Sequence, residues 1–144
     1  MRFRVLGPVE LLRDGHPVPV GGPKQRALLV LFLLRPNRFV DTDWLVDALW
    51  DGRPPTSAQV TLRTYVAGLR RALEPGRGHR DPGRVLLHHP GGYELRVEPE
   101  AVDAVRFARL ADQATAALAR GDATTAEDGY RAALGLWRGE PLAD

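Results

Sequence analysis

The sequence predicts an α+β fold. A winged helix, made of an N-terminal antiparallel sheet, three helices and a C-terminal wing hairpin, is followed by an α-helical hairpin. Three observations predict it. The stretch Ser57–Leu73, SAQVTLRTYVAGLRRAL, places Leu62, Val66, Leu69 and Leu73 on one helical stripe. Closely after it come Val85–His88 and Tyr93–Val97, two strand patterns around the turn His89-Pro90-Gly91-Gly92. From about Val102 the apolar spacing becomes helical.

Taken in order, Phe3-Arg4-Val5 and Val9-Glu10-Leu11 alternate on either side of Gly7-Pro8, and Asp14-Gly15 is a hairpin turn. His16–Val20 carries two prolines and therefore belongs at a sheet edge. Gly21-Gly22 ends this sheet, and Pro23 suits the first position of a helix running to Leu34. That helix is apolar on nearly every side after its first turn, as expected of one buried between a sheet and other helices. For Lys24 and Arg26 a solvated first turn is the preferred reading over phosphate contact.

Pro36-Asn37 stops the first helix. A second spans Asp43–Trp50, with Asp41 or Thr42 as cap and Trp44, Leu45, Ala48 and Leu49 facing inward. Asp51–Thr56 contains Gly52, Pro54 and Pro55 and forms a loop, after which Ser57 caps the third helix. Two helices joined this way place the third across the second, a helix-turn-helix with a longer than minimal turn.

The outward face of the third helix carries Val60, Arg63, Thr64, Ala67 and Arg71, with Thr61 and Arg70 at its edges. It has no carboxylate, since the first acid after Asp51 is Glu74. A helix that is merely solvated usually mixes both signs of charge on its outer face. Arginines, hydroxyls and small residues without an acid suit the floor of a DNA groove. Arg63, central on this face, is the leading candidate for a base or phosphate contact. Thr61 and Thr64 each offer a hydroxyl for phosphate and a methyl for thymine. Tyr65 lies between faces, as much a core residue as a phosphate ligand, and Arg70 and Arg71 fit backbone contacts.

Glu74–Arg84 is a polar connector rich in glycine and proline, and the hairpin after it is the wing. A wing tip can approach a neighbouring minor groove, which places His89 and Gly91 among the candidate contacts. Charge divides along the chain: residues 1–97 hold 15 basic and 9 acidic side chains, net +6, and residues 98–144 hold 5 and 9, net −4. A basic domain, 1–97, joined to an acidic module, 98–144, fits a polyanion binder with a second task.

The composition excludes several classes. With 44% hydrophobic residues in 144, the chain can bury a core. It has no cysteine, hence no disulfide framework or thiolate metal site. His16, His79, His88 and His89 show no metal-ligand spacing, and there is no phosphate-binding glycine motif. Asp41, Asp43 and Asp47 suggest a cation site, but Asp41 and Asp43 at a helix start are better read as capping and dipole residues. Neither an enzyme nor a cofactor or metal is expected. The N-terminus lacks the apolar core of a signal peptide, and the longest apolar run, Ala27–Leu34, is too short to cross a bilayer. A cytoplasmic protein with no membrane partner is expected.

The order of elements, with LVDALW, TLRTYVAGLRRAL and HHPGGYEL, resembles the winged-helix effector domain of OmpR/PhoB-type regulators. Arg4–Pro8 (RVLGP), Gly21–Leu28 (GGPKQRAL) and Trp137–Asp144 (WRGEPLAD) make the chain more closely similar to the Streptomyces antibiotic regulatory protein (SARP) family. The resemblance covers essentially the whole chain. It implies a transcriptional activator that binds short direct repeats on double-stranded DNA upstream of promoters, serving a secondary-metabolite or antibiotic cluster. It implies two copies side by side, hence a homodimer at least on DNA, and contact with RNA polymerase through the loop bearing Asp51, Arg53 and Thr56. No receiver domain is expected ahead of the first strand.

In that family the helix pair Val102–Leu118 and Ala126–Trp137 corresponds to the start of the bacterial transcriptional activation domain, a tetratricopeptide-like (TPR-like) repeat. Its apolar positions are Val105, Leu110, Ala114, Ala117 and Leu118, then Tyr130, Ala133, Leu134 and Trp137. One such repeat cannot bury its apolar face alone. Either the chain is a fragment, which is the preferred reading, or the pair packs on the winged helix or on a second copy.

Two departures from the family bear on the site. Gly68 stands where a long polar or basic residue is common, and His89 where a wing arginine is common. They motivate a rival reading: a protein-interaction module whose winged helix no longer binds DNA tightly.

Overall fold

The computed structural model describes residues 1–76 and 83–140 of the chain. His79 and much of the connector, together with the end of the WRGEPLAD motif, lie outside the described residues. The described chain forms two compact units, one of residues 18–97 and one of Met1–Pro17 with the described residues from Glu98 onward. The first 17 residues therefore group with the helix pair.

In the 18–97 unit, α1 (Pro23–Leu34), α2 (Thr42–Leu49) and α3 (Ala58–Leu73) accompany a three-stranded antiparallel sheet. Pro23 opens α1 behind an extended Gly22, as its fixed φ favours. Leu28, Leu29 and Phe32 of α1, Leu45 of α2 and Leu62, Val66 and Leu69 of α3 are fully buried. Asp41 caps α2, its carboxylate accepting the backbone amides of Asp43 and Trp44. The inward face of α2 is Leu45, Val46 and Leu49, with Trp44 half-buried. Ala48 is exposed, contrary to expectation, and Val46 takes the inner position. Ser57 stands at the N-cap of α3 without a side-chain capping bond, its backbone lying near φ −88° and ψ 12° rather than in the extended region a cap uses.

The sheet of this unit has the order β4 (Phe39–Asp41), β6 (Gly92–Leu95), β5 (Leu86–His89). The wing hairpin is β5–β6, paired Leu86 with Leu95 through His89 with Gly92. β4 was not foreseen: three residues carry no usable periodicity, and Phe39, Val40 and Asp41 become a strand by pairing with Glu94, Tyr93 and Gly92. Gly92 is obligatory there, since a Cβ would strike the Val40 carbonyl. Asn37 fastens the far end of the sheet, donating to the Val97 carbonyl and accepting its amide.

The other unit begins with β1 (Arg2–Arg4) and β2 (Glu10–Arg13), paired antiparallel; β3 (His16–Val18), next in the order β1-β2-β3, starts at its last residues. Asp14 and Gly15 both have positive φ, 51° and 79°, the backbone demanded by a two-residue hairpin turn. The helix pair is α4 (Asp103–Ala119) and α5 (Ala123–Leu134), preceded by a 3₁₀ turn at Pro99–Ala101. The two helices meet through small residues: Ala114, Ala117, Ala126 and Ala133 are buried, and a Cβ on Gly129 would lie 2.9 Å from that of Ala114.

The N-terminal segment is bound into this pair. Phe3 forms a parallel bridge with Val102, and the buried Asp103 carboxylate accepts the amides of Val5 and Leu6. From beyond α5, Arg138 gives its amide to the Leu6 carbonyl and a guanidinium N–H to the Pro8 carbonyl, and it pairs with Glu10. Trp137 lies past the end of α5, not within it, and packs edge-on against Phe107. Leu118 and Leu134, which their helical spacing places inward, are instead 54% and 66% exposed and flank an open apolar trough with Ala123, Ala126 and Tyr130.

Candidate nucleic-acid interface

The 16 residues of α3 divide cleanly by face. Leu62, Val66, Leu69 and Leu73 are buried as their spacing requires, joined by Ala58, Gly68 and Ala72. Arg63, Thr64, Ala67 and Arg71 are exposed, and Val60 is 62% exposed, large for an aliphatic side chain in a helix otherwise well packed. Thr61, Tyr65 and Arg70 occupy the margins.

Arg63 and Arg71 make no ion pair among the described residues, so both guanidinium groups face solvent uncompensated on an acid-free surface. Eight residues apart, they are spaced roughly 12 Å along the axis, comparable to three or four base steps. The exposed Thr64 donates its hydroxyl to the Val60 carbonyl at 3.2 Å, and the same oxygen remains able to accept a hydrogen bond.

Arg70, Tyr65 and Lys24 hold this surface in place. Arg70 is half-buried, and its Nε donates to the Leu86 carbonyl at 3.2 Å, tying α3 to the first wing strand. Tyr65 stacks on Trp50, with ring centroids 6.4 Å apart and an interplanar angle of 22°. Lys24 lies over Trp50 with its ammonium 5.6 Å from the ring centroid and donates to the Leu49 carbonyl at the end of α2. A cation there complements the helix dipole as well as the aromatic face. Nothing in the spacing of Lys24, Trp50 and Tyr65 announces this stack; it exists because three elements converge.

The loop after α2 turns through Asp51 and Gly52, with φ of 53° and 77°. The Gly52 amide donates to Asp47 and the Arg53 amide to Trp50, and residues 51–57 are exposed, Asp51, Arg53 and Thr56 among them.

On the wing, Gly91 forms the exposed tip with φ of 82°, and its carbonyl accepts the Thr42 amide at 2.9 Å. His89 is half-buried, and its Nε2 lies 2.9 Å from Glu94 Oε1. The other Glu94 oxygen accepts from Arg96 Nε at 3.1 Å. The hydrogen bond to His89, then that to Arg96, holds the Glu94 carboxyl below its usual range. The Phe39 ring meets the His89 imidazole edge-on at 6.3 Å, while His88 packs on Tyr93 from the opposite strand face. Among the described residues no cluster of side chains could hold a metal ion, and no helix is long and apolar enough to cross a membrane.

Gly68, expected near the groove, is buried on the α1 side of α3. Gln25, whose side chain lies against it, was missed because only the packing of α1 on α3 brings positions 25 and 68 together.

Comparison with known proteins agrees with this architecture. Residues 17–95 match the family model described as transcriptional regulatory protein, C terminal, and residues 102–144 match the bacterial transcriptional activator domain. Over 144 residues the chain is 44% identical to the regulatory protein AfsR of Streptomyces coelicolor, covering 99% of this chain and 14% of that protein. It is 37% identical to the regulatory protein DnrI of Streptomyces peucetius, covering all of this chain and 54% of that one. The structure of Mycobacterium tuberculosis EmbR in complex with a low-affinity phosphopeptide superposes with a TM-score of 0.90 at 38% identity, covering 98% of this chain and 37% of that chain. The chain thus spans about half or less of the length of these relatives.

Proposed function

This chain belongs to the SARP family of transcriptional regulators, with an OmpR-type winged helix and a bacterial transcriptional activator domain, and on that premise we propose that it activates transcription by placing α3 in the major groove of short direct repeats upstream of promoters. The observation that carries this reading is the exposed face of α3, where Arg63 and Arg71 make no ion pair among the described residues. Arg63 reads base edges, Thr61 and Thr64 contact phosphate or thymine methyls, and Arg71 positions the helix on the backbone. Gly91 brings the wing tip to the adjacent minor groove, with His89 beside it. Tyr65 and Arg70 support the helix through Trp50 and Leu86.

Two copies bind side by side on one face of the duplex, as repeats one helical turn apart require. The exposed loop bearing Asp51, Arg53 and Thr56 meets RNA polymerase, and the regulated genes belong to a secondary-metabolite cluster. These three points rest on the family resemblance. The unit of residues 18–97 carries DNA binding, and the unit of the helix pair carries the second, activating task.

The test is titration with duplex DNA at several salt concentrations. Affinity should fall steeply as salt rises, because phosphate contacts release counterions. The rival reading, a winged helix retained for protein contacts, draws on His89 being engaged by Glu94. It predicts weak binding that salt and Arg63→Ala leave unchanged.

A further inference from the structure

A glycine inside a helix is unfavourable for backbone entropy, so Gly68 in the middle of α3 calls for a reason. Packing supplies one. The space its Cβ would occupy holds the side-chain amide of Gln25, from the first turn of α1, with Oε1 2.5 Å and Nε2 2.6 Å from that point. The same amide fills the space beside Gly21, where a Cβ would lie 2.7 Å from its carbon and nitrogen. Gln25 Nε2 donates to the carbonyl of Val20, itself buried. Two glycines from separate elements thus leave a slot for one amide, and a backbone carbonyl anchors it there.

We propose that Gln25 is a positioning residue for DNA reading: its amide stands in for the side chain Gly68 lacks and pins the middle of α3 to the start of α1. The pin sets where Arg63, Thr64 and Arg71 are presented, and the proposal rests on α3 being the recognition helix. Hydrogen bonds to base edges weaken steeply with small errors of distance and angle. Contacts to phosphate, which carry no sequence information and act through long-range charge, tolerate such errors better. Loosening the pin therefore lowers discrimination between sequences more than it lowers affinity for DNA in general.

The test uses the full 144-residue chain, a duplex selected by the wild-type protein from a randomised pool, and a random-sequence duplex as reference. Gln25→Ala should reduce the ratio of the two affinities by about tenfold, the scale of one impaired base contact, with the salt slope unchanged. Gly68→Ala should act in the same direction, because its methyl competes with the amide for one space. The double variant Gln25→Ala/Gly68→Ala should recover most of the ratio, the methyl then filling the emptied slot. A wild-type ratio in Gln25→Ala, or a double variant worse than either single, overturns the proposal. If thermal melting shows Gln25→Ala unfolded, Gln25→Met, equal in reach but without the amide, takes its place: a reduced ratio supports the pin and an unchanged one removes it. A wild-type chain whose duplex binding is weak and insensitive to salt is a different failure, which overturns the DNA reading itself and the role of Gln25 with it.

Discussion

The carboxylate of Asp103 accepts the backbone amides of Val5 and Leu6 at 2.8 and 3.1 Å, joining positions almost a hundred residues apart. Asp103 is also the first residue of α4, where negative charge meets the positive end of the helix dipole. Asp103→Ala leaves two buried amides without acceptors, each costing about 1–3 kcal/mol. Chemical denaturation should show a loss of several kcal/mol in the unit formed by the N-terminal strands and the helix pair. Hydrogen exchange should locate the lost protection at Val5, Leu6 and the start of α4, leaving α1 and α3 protected. An unchanged unfolding midpoint would mean the two bonds are replaced by solvent at little cost.

On the exposed face of α3, Arg63 and Arg71 should behave differently. Arg63→Ala should cost ~1–3 kcal/mol of preference for the selected duplex, relaxing specificity at one base position. Arg71→Ala should weaken binding to all duplexes alike and reduce the salt slope by about one unit. Fluorescence anisotropy with matched and mismatched duplexes separates the two. Identical effects of both substitutions would count against the assignment of roles.

Glu94 predicts an acid limb in stability. Its carboxyl is held down chiefly by the hydrogen bond from His89 and then by Arg96, so its folded pKa lies below the unfolded one. A depressed carboxylate contributes stability that is present above the unfolded value and lost as pH falls through the folded value. The N-cap Asp122, held down by Thr125, acts with the same sign. Thermal melting from pH 6 downward should therefore fall more steeply for the wild type than for Glu94→Gln.

In the trough on α4 and α5, Leu134 is 66% exposed beside Leu118. Leu134→Glu removes little buried area and should change stability by no more than about 0.5 kcal/mol. It should also raise solubility by breaking the apolar patch. A large loss of stability, read by denaturant titration, would show that the trough is covered in solution.

The exposed and buried faces of α3 were legible along the chain because a helix imposes its period on the sequence. The spacing of Leu62, Val66, Leu69 and Leu73 determined which side of α3 is buried, and with it that Arg63, Thr64, Ala67 and Arg71 face outward. The wing was equally readable, since glycine and proline mark a turn locally. β4 was not, because Phe39–Asp41 is too short to show a period and is a strand only beside β6. The inward placement of Gly68 came from Gln25, the restraint on Arg70 from Leu86, and the restraint on His89 from Glu94. Helices, their faces and the hairpins are written locally, because they depend on neighbours within a few residues. What each polar side chain holds, including the grip of Asp103 and Arg138 on the segment between β1 and β2, came only from the packed chain, because such bonds join groups far apart in sequence that no local pattern records.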